Sequence, residues 1–205
     1  DFGTTATIAF IVFVQFLFSK TKLIYPALLS IGGWFIGRYF LESEFYRAER
    51  LRVWSEGICN QGQELLGACF QVHQSRIAIS SGGMFGLGPG TSRARWGSLP
   101  SAYSDFISSI IGEEYGFIGY LIFIFILSIC IITFFLIAVR EKNEFKKIFI
   151  SGLGAWILFQ SVLNLGASVY LLPITGIVLP FVSYGGTAMV SIFVALGIMH
   201  CRVDE

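Results

Sequence analysis

Charge is what this 205-residue sequence has least of. Asp, Glu, Lys and Arg together make up 13% of it, against about 25% in an ordinary soluble domain. With 55% hydrophobic residues and a mean hydropathy of +0.73, the composition excludes a soluble globular domain and points to an integral membrane protein. Four cysteines are scattered at 59, 69, 130 and 201. They form no CxxC and no Cys/His spacing, which argues against a zinc centre. The glycine-rich stretch 81–90 is not followed by GK[ST], so it is not a P-loop. No basic segment or cleavage site precedes the first apolar run, so it does not read as a signal peptide; the start at Asp1 reads as the interior of a longer chain. The net charge of +1 says little about partners, and no nucleic-acid partner is expected.

What is abundant is long apolar sequence. Five runs stand out, at about 2–19, 23–37, 116–139, 148–172 and 181–199. A bilayer core of about 30 Å needs about 20 helical residues. The last three runs meet that length, and the first two must tilt or draw on their flanks. The expectation is an all-α, polytopic transmembrane bundle with five spans in a single membrane domain. All five lysines fall in two short connections, Lys20 and Lys22, then Lys142, Lys146 and Lys147. Counting spans puts both on one side, which the positive-inside rule makes cytoplasmic. The long segment at about 38–115 then lies outside. It carries seven arginines, but loops beyond about 60 residues are weakly governed by that rule.

That outer segment is too aromatic for a disordered linker. Residues 43–54 fit an amphipathic helix, with Tyr46, Arg50 and Val53 on one stripe and Arg47, Leu51 and Trp54 on another. Such a helix suits lipid headgroups as well as a ligand. The glycines of "SGGMFGLGPG", Gly82 and Gly83 among them, either bring backbone close to something or make turns. Within the fourth run, Gln160 and Asn164 lie four residues apart on one face. Polar groups at membrane depth face a bundle interior or a cavity, and either interhelical hydrogen bonding or ligand contact accounts for them. Pro173 and Pro180 bracket a stretch that breaks the helix, and non-helical backbone at that depth must be buried or line a cavity. Cys59 and Cys69, on an outer loop, could form a disulfide, which spacing alone does not establish.

Together these segments resemble the SEDS family (shape, elongation, division and sporulation), the FtsW/RodA-type membrane glycosyltransferases. The likeness is carried by "LPITGIVLPFVSYGGTA" (172–188), by "QSRIAISSGGMFGLGPG" (74–90) with "RWGSLPSAYSDFISSIIGEEYGFIG" (95–119), and by "DFGTT" (1–5). The "IIGEE" and "TGIVLPF" wording leans toward the division or sporulation branch. The resemblance implies a fold of about ten helices, of which this chain supplies the last five while the N-terminal half is absent. It implies polymerisation of lipid II into glycan strands at the outer face of the bacterial cytoplasmic membrane. It also implies pairing with a class B penicillin-binding protein. The family's essential acid matches Asp105, in an LPxAxxDF context. The chain departs from the family where Ser101 replaces a common Glu, where Tyr103 and Ser104 replace a His-Thr type pair, where Arg76 replaces Lys, and where Pro89 interrupts the glycines.

A sugar hydroxyl is a poor nucleophile at neutral pH, so a positioned carboxylate is wanted as general base. Asp105 is the candidate. A loop Asp before a helix is also a common N-cap, and that reading stands beside the catalytic one. The pyrophosphate leaving group calls for arginine or a divalent cation such as Mg or Mn. Arg93 and Arg95 are the first candidates, then Arg76, Arg47 and Arg50. Supporting roles are expected for Gln74, Gly82, Gly83, Asn164, Pro173, Gly176, Pro180, Ser183, Tyr184, Gly185 and Gly186. Glu113 and Glu114 are expected to be structural, for example by pairing with loop arginines. The alternatives to the enzyme are a lipid II transporter and a scaffold that recruits a transpeptidase. No acidic pair inside the spans speaks for transport, and a scaffold has no need of the Asp105 loop.

Overall fold

In the computed structural model the described residues are 2–22, 24–28, 32–33, 54–55, 57, 59 and 68–200. The described residues are helical with no strand. The helices are α1 (Phe2–Phe18), α2 (Ala68–Ser81), α3 (Ile107–Arg140), α4 (Glu144–Ser168) and α5 (Gly186–His200), with a 3-10 turn at Ala94–Trp96. Two of them, α3 and α4, are long and apolar enough to cross a membrane, and α1 and α5 are shorter apolar helices. Most of the run at 23–37 and the proposed amphipathic helix at 43–54 lie outside the described residues, as do Arg47 and Arg50.

The α3–α4 hairpin forms the core. Leu127, Ile131, Phe134 and Ala138 of α3 pack on Ile150, Leu153 and Ile157 of α4, and Leu179 closes the cluster. Gly154 lets α4 come up against Phe134. The connection is short because Asn143 caps α4, its Oδ1 accepting from Lys146 N at 3.1 Å, and Glu144 in the first turn complements the helix dipole. Against the other side of α4 runs α1. Phe10 stacks on Phe159 at 4.7 Å between ring centroids, Gln15 lies in the notch at Gly152, and Lys20 pairs with Glu144 at 2.9 Å. The contact order makes the two helices antiparallel and brings the two lysine-bearing connections to the same end of the bundle. From α5, Ala195, Leu196 and Met199 pack on the α3–α4 core.

Three boundaries differ from those read in the sequence. The segment expected as outer loop contains α2, and α3 begins at Ile107 rather than near 116. Residue 116 is instead where α3 breaks: Gly116 has φ 68° and ψ −169° inside the helix, a conformation open almost only to glycine. The apolar run thus starts at a kink, with a more polar helix of about two turns before it. At the far end, α4 stops at Ser168 and α5 starts at Gly186, so 169–185 is irregular. Tyr170 and Phe181 there have positive φ, 63° and 65°, and Pro173 and Pro180 keep helix from forming across it. Beyond the break, residues 117–140 rise about 36 Å, enough alone for a hydrocarbon core of about 30 Å. The first turns of α3 therefore lie toward the end of the bundle opposite the lysines.

Candidate active site

The break at Gly116 is filled by the glycine-rich stretch. Phe117 N donates to Gly83 O at 2.9 Å and Ile118 N to Met84 O at 3.2 Å. In the other direction Leu87 N donates to Glu113 O and Gly88 N to Glu114 O, both at 3.0 Å. The groups freed by the kink are satisfied by the loop, as buried backbone must be. This is the close approach that the glycines permit. A Cβ at Gly82 would collide with the Gly112 carbonyl, and one at Gly86 with the Glu114 carbonyl. Gly83 adopts φ 55°.

The chain then passes over Glu113. This carboxylate is 2% exposed. It accepts from Ser92 Oγ at 2.5 Å, Arg93 N at 3.0 Å and Ala94 N at 3.2 Å. Ser92 Oγ in turn accepts from Arg95 N at 3.2 Å, and the 3-10 turn follows. Glu113 therefore holds the arginine segment by its backbone rather than by pairing with the guanidinium groups. Arg93 and Arg95 are left with exposed side chains on a fixed main chain. The Arg95 guanidinium lies over the Trp96 and Tyr103 rings, at 5.6 and 5.7 Å from the centroids. Its Nε donates to Tyr103 Oη at 3.3 Å, and that bond raises the Arg95 pKa further above its ordinary value. Glu114 is buried, its Oε1 without a partner among the described residues, and it acts on Arg95 more weakly than the Tyr103 bond does.

Asp105 sits one turn of loop further on. Ser101 takes φ 56°, and its carbonyl accepts from both Ser104 N (3.2 Å) and Asp105 N (3.0 Å). The N-cap of α3 is Phe106, with no side-chain cap bond, so the helix-capping reading of Asp105 does not hold. Among the described residues no hydrogen bond or ion pair engages the Asp105 carboxylate. Its loop is gripped through main-chain carbonyls instead. Tyr103 O accepts from Tyr184 N at 2.9 Å, Ser104 O from Ser183 Oγ at 2.6 Å, and Asp105 O from Asn164 Nδ2 at 2.9 Å. Asn164 Nδ2 also donates to Ile177 O at 2.8 Å, and Ser183 Oγ accepts from Leu179 N at 2.7 Å. The turn at Gly176, φ 71°, passes beside the carboxylate: a methyl there would sit 3.8 Å from Asp105 Oδ2.

The structure thus brings Asp105, Asn164, Gly176, Ser183 and Tyr184 together, and joins Arg95 to them through Tyr103. Pro180 is fully buried beneath, and Pro173 lies half-buried in the same irregular run. Gly185 packs near Val178, while Gly186 opens α5 with free space around it. Arg76 and Gln74 are on α2. Arg76 is exposed and its charge acts on Tyr170; Gln74 is half-buried. Sequence reasoning missed Ser92, the docking glycine Gly86, the kink at Gly116, and a buried hydroxyl chain. In that chain Ser75 Oγ lies 2.7 Å from Ser109 Oγ and donates to Ser168 O at 2.6 Å, tying α2, α3 and α4 together. Three serines spaced across three helices leave no local pattern to find. Ser92 had one signal, a polar residue beside the arginines facing a Glu-rich helix. Cys59 and Cys69 form a disulfide, their Cα atoms 5.2 Å apart. Among the described residues no group of three or more His, Cys, Asp or Glu assembles to hold a metal ion; the Arg95 guanidinium meets the Asp105 loop at Tyr103.

Comparison with known proteins gives the family and the fold. A probable peptidoglycan glycosyltransferase FtsW of Bacillus subtilis is 36% identical over 209 residues, covering 97% of this chain and 51% of that protein. Its counterpart in Haemophilus influenzae is 34% identical, covering 100% of this chain and 52% of the relative. An Enterococcus hirae protein of the same name is 41% identical over 132 residues, 64% of this chain and 33% of that one. The chain spans about half the length of the first two of these relatives. Among solved structures, a chain reported for the structural coordination of polymerization and crosslinking by a peptidoglycan synthase complex shares the fold. Its TM-score is 0.69 at 22% identity, covering 97% of this chain and 54% of that one. The FtsW/RodA/SpoVE model, described as cell cycle protein, matches residues 1–204, and the chain belongs to that family.

Proposed function

We propose that this chain carries the catalytic half of a peptidoglycan glycosyltransferase that polymerises lipid II at the outer face of the cytoplasmic membrane during division or wall growth. The observation behind the reading is a carboxylate with no partner among the described residues, on a loop whose Tyr103, Ser104 and Asp105 carbonyls are each engaged. The carboxylate is partly exposed, with its oxygens open to a substrate hydroxyl, as a general base requires. The sugar hydroxyl of one lipid-linked unit attacks the anomeric carbon of the other. Asp105 takes the hydroxyl proton, the new C–O bond forms, and the bond to undecaprenyl pyrophosphate breaks with its electron pair leaving on phosphate oxygen. Arg95, pre-oriented by Trp96 and Tyr103, and Arg93 meet that developing charge.

Two features support the outward orientation. The lysine-bearing connections share the end away from Asp105, as the positive-inside rule asks of the cytoplasmic side. The Cys59–Cys69 disulfide belongs to an oxidising compartment. The partner proposed is a class B penicillin-binding transpeptidase, which would crosslink the strand as it is made. The decisive experiment uses the full-length protein with that partner in detergent, where no second leaflet exists, and scores polymer from labelled lipid II. Polymer that disappears in Asp105→Asn is the expected result. Lipid II movement between leaflets of proteoliposomes, with no polymer under any condition, would replace the enzyme by a transporter.

A further inference from the structure

Three consecutive carbonyls, those of Tyr103, Ser104 and Asp105, each accept a hydrogen bond from a different part of the chain: Tyr184 N, Ser183 Oγ and Asn164 Nδ2. Residues 103–105 are separated from Asn164 by 59 positions and from Ser183 by 79. No local rule of turn formation requires such contacts. We infer that Asn164 and Ser183 are positioning residues for Asp105, setting the carboxylate by fixing the main chain beneath it without touching it. The inference rests on Asp105 being the base.

The chemistry of each group supports a donor's role. Asn164 is 2% exposed and Nδ2 lies between two carbonyl oxygens, those of Asp105 and Ile177. Only an NH₂ satisfies both, and the flipped amide would set oxygen against oxygen. Its Oδ1 is buried with no partner among the described residues. A side chain kept for volume alone would not leave an amide oxygen orphaned, because an apolar residue fills the space without that cost. Ser183 is directed in the same way. Its oxygen accepts from Leu179 N, which leaves the hydroxyl proton to point at Ser104 O. With Asn164 on α4 and Ser183 near the end of the irregular segment, the Asp105 loop is pinned to both. Gly176 turns past Oδ2 between the two anchors.

The consequence is a separation of roles. Loosening the clamp misplaces the base and leaves the lipid-binding surface intact. A misplacement of about 1 Å costs about 100-fold in rate. Asn164→Ala is therefore expected to lower kcat by roughly 10- to 100-fold and Ser183→Ala by about 10-fold, each with KM close to the parent value. Ser183→Thr keeps the hydroxyl and should recover most of the loss. The test measures kcat and KM for lipid II polymerisation, per folded molecule, in the full-length protein with its transpeptidase partner. Asp105→Asn runs alongside, and folded fraction is read from thermal melts. Reduced kcat with unchanged KM in Ser183→Ala and recovery in Ser183→Thr supports the clamp even if Asn164→Ala does not fold. Parental kcat per folded molecule in Ser183→Ala overturns it, while an inactive Asp105→Asn in the same experiment leaves the general-base reading standing. An active Asp105→Asn removes that reading and the clamp with it.

Discussion

Two carboxylates eight residues apart, Asp105 and Glu113, are held in opposite ways. Glu113 is nearly inaccessible, and its oxygens are occupied by Ser92 and by the main-chain N–H groups of Arg93 and Ala94. Among the described residues nothing bonds to the Asp105 carboxylate, and the restraint falls on its backbone. In the first case the acid organises the chain around it. In the second the chain organises the acid. An acid whose lone pairs are filled by fixed donors cannot take a proton without losing them, whereas one positioned from beneath can. The contrast fits the proposed roles, structure for Glu113 and general base for Asp105.

The largest expected effect tests that assignment directly. Asp105→Asn should abolish polymerisation, a loss on the order of 10²–10⁴-fold for a general base, while the thermal midpoint stays near that of the parent. Because the carboxylate makes no bond among the described residues, its loss orphans nothing. Parental activity in this variant would dissolve the contrast.

The converse holds for Glu113. Glu113→Ala leaves three donors without an acceptor in a buried site, at about 1–3 kcal/mol each. The protein should melt markedly earlier, and the arginine segment should become open to proteolysis. Glu113→Gln keeps one acceptor oxygen but turns an NH₂ toward an N–H, so it should fall between the two. A Glu113→Ala variant with parental stability but no activity would move Glu113 into the chemistry.

The two acids were unequally legible in the sequence. Composition and run length were enough for an all-α membrane protein, because a bilayer demands that much apolar helix of any sequence. Asn164 could be singled out because an amide inside an apolar run is costly and must have a partner. The partners themselves were hidden. Asn164, Ser183 and Glu113 all bind main-chain atoms, which every residue carries, so no residue type at 92–94, 103–105 or 177 announces the bond. The same holds for the loop docked at the kink. "GGMFGLG" left close backbone approach and simple turns open, and Gly116 read as the start of a span, because a single glycine in a helical pattern does not say whether the helix continues. Only the fit of Gly82 and Gly86 against the backbone of 112–115 gives both a reason. The N-cap expectation for Asp105 failed for a related cause: the tight turn on the Ser101 carbonyl ends at Asp105 N, and the helix begins one residue later than the motif suggests.

A smaller effect is expected where the Glu113 strut meets the substrate side. Arg93→Ala and Arg95→Ala should each reduce turnover, with stability unchanged, because the exposed guanidinium groups are not what holds their segment. Lys in place of Arg95 should restore only part of the rate, since an ammonium lacks the planar fork and stacks less well on Trp96 and Tyr103. Full polymerisation by the double alanine variant would place pyrophosphate binding elsewhere.

The smallest expected effect falls on Tyr103, which belongs to both regions. Its carbonyl is part of the grip on the Asp105 loop, while its phenol oxygen accepts from Arg95 Nε and its ring lies beneath the guanidinium. Tyr103→Phe removes only the hydroxyl. The carbonyl still accepts from Tyr184 N, and the ring still supports Arg95, so the base keeps its position and the arginine most of its orientation. The lost bond is at an exposed site, where water readily takes the place of the phenol oxygen. Turnover should fall by no more than a few fold, and additively with Ser183→Ala, because the hydroxyl and the carbonyl clamp share no atom. Steady-state polymerisation of the two single variants and the double variant measures this. A loss in Tyr103→Phe as deep as that of Asp105→Asn would mean that the phenol itself takes part in proton transfer, and that the free carboxylate is not the whole of the site.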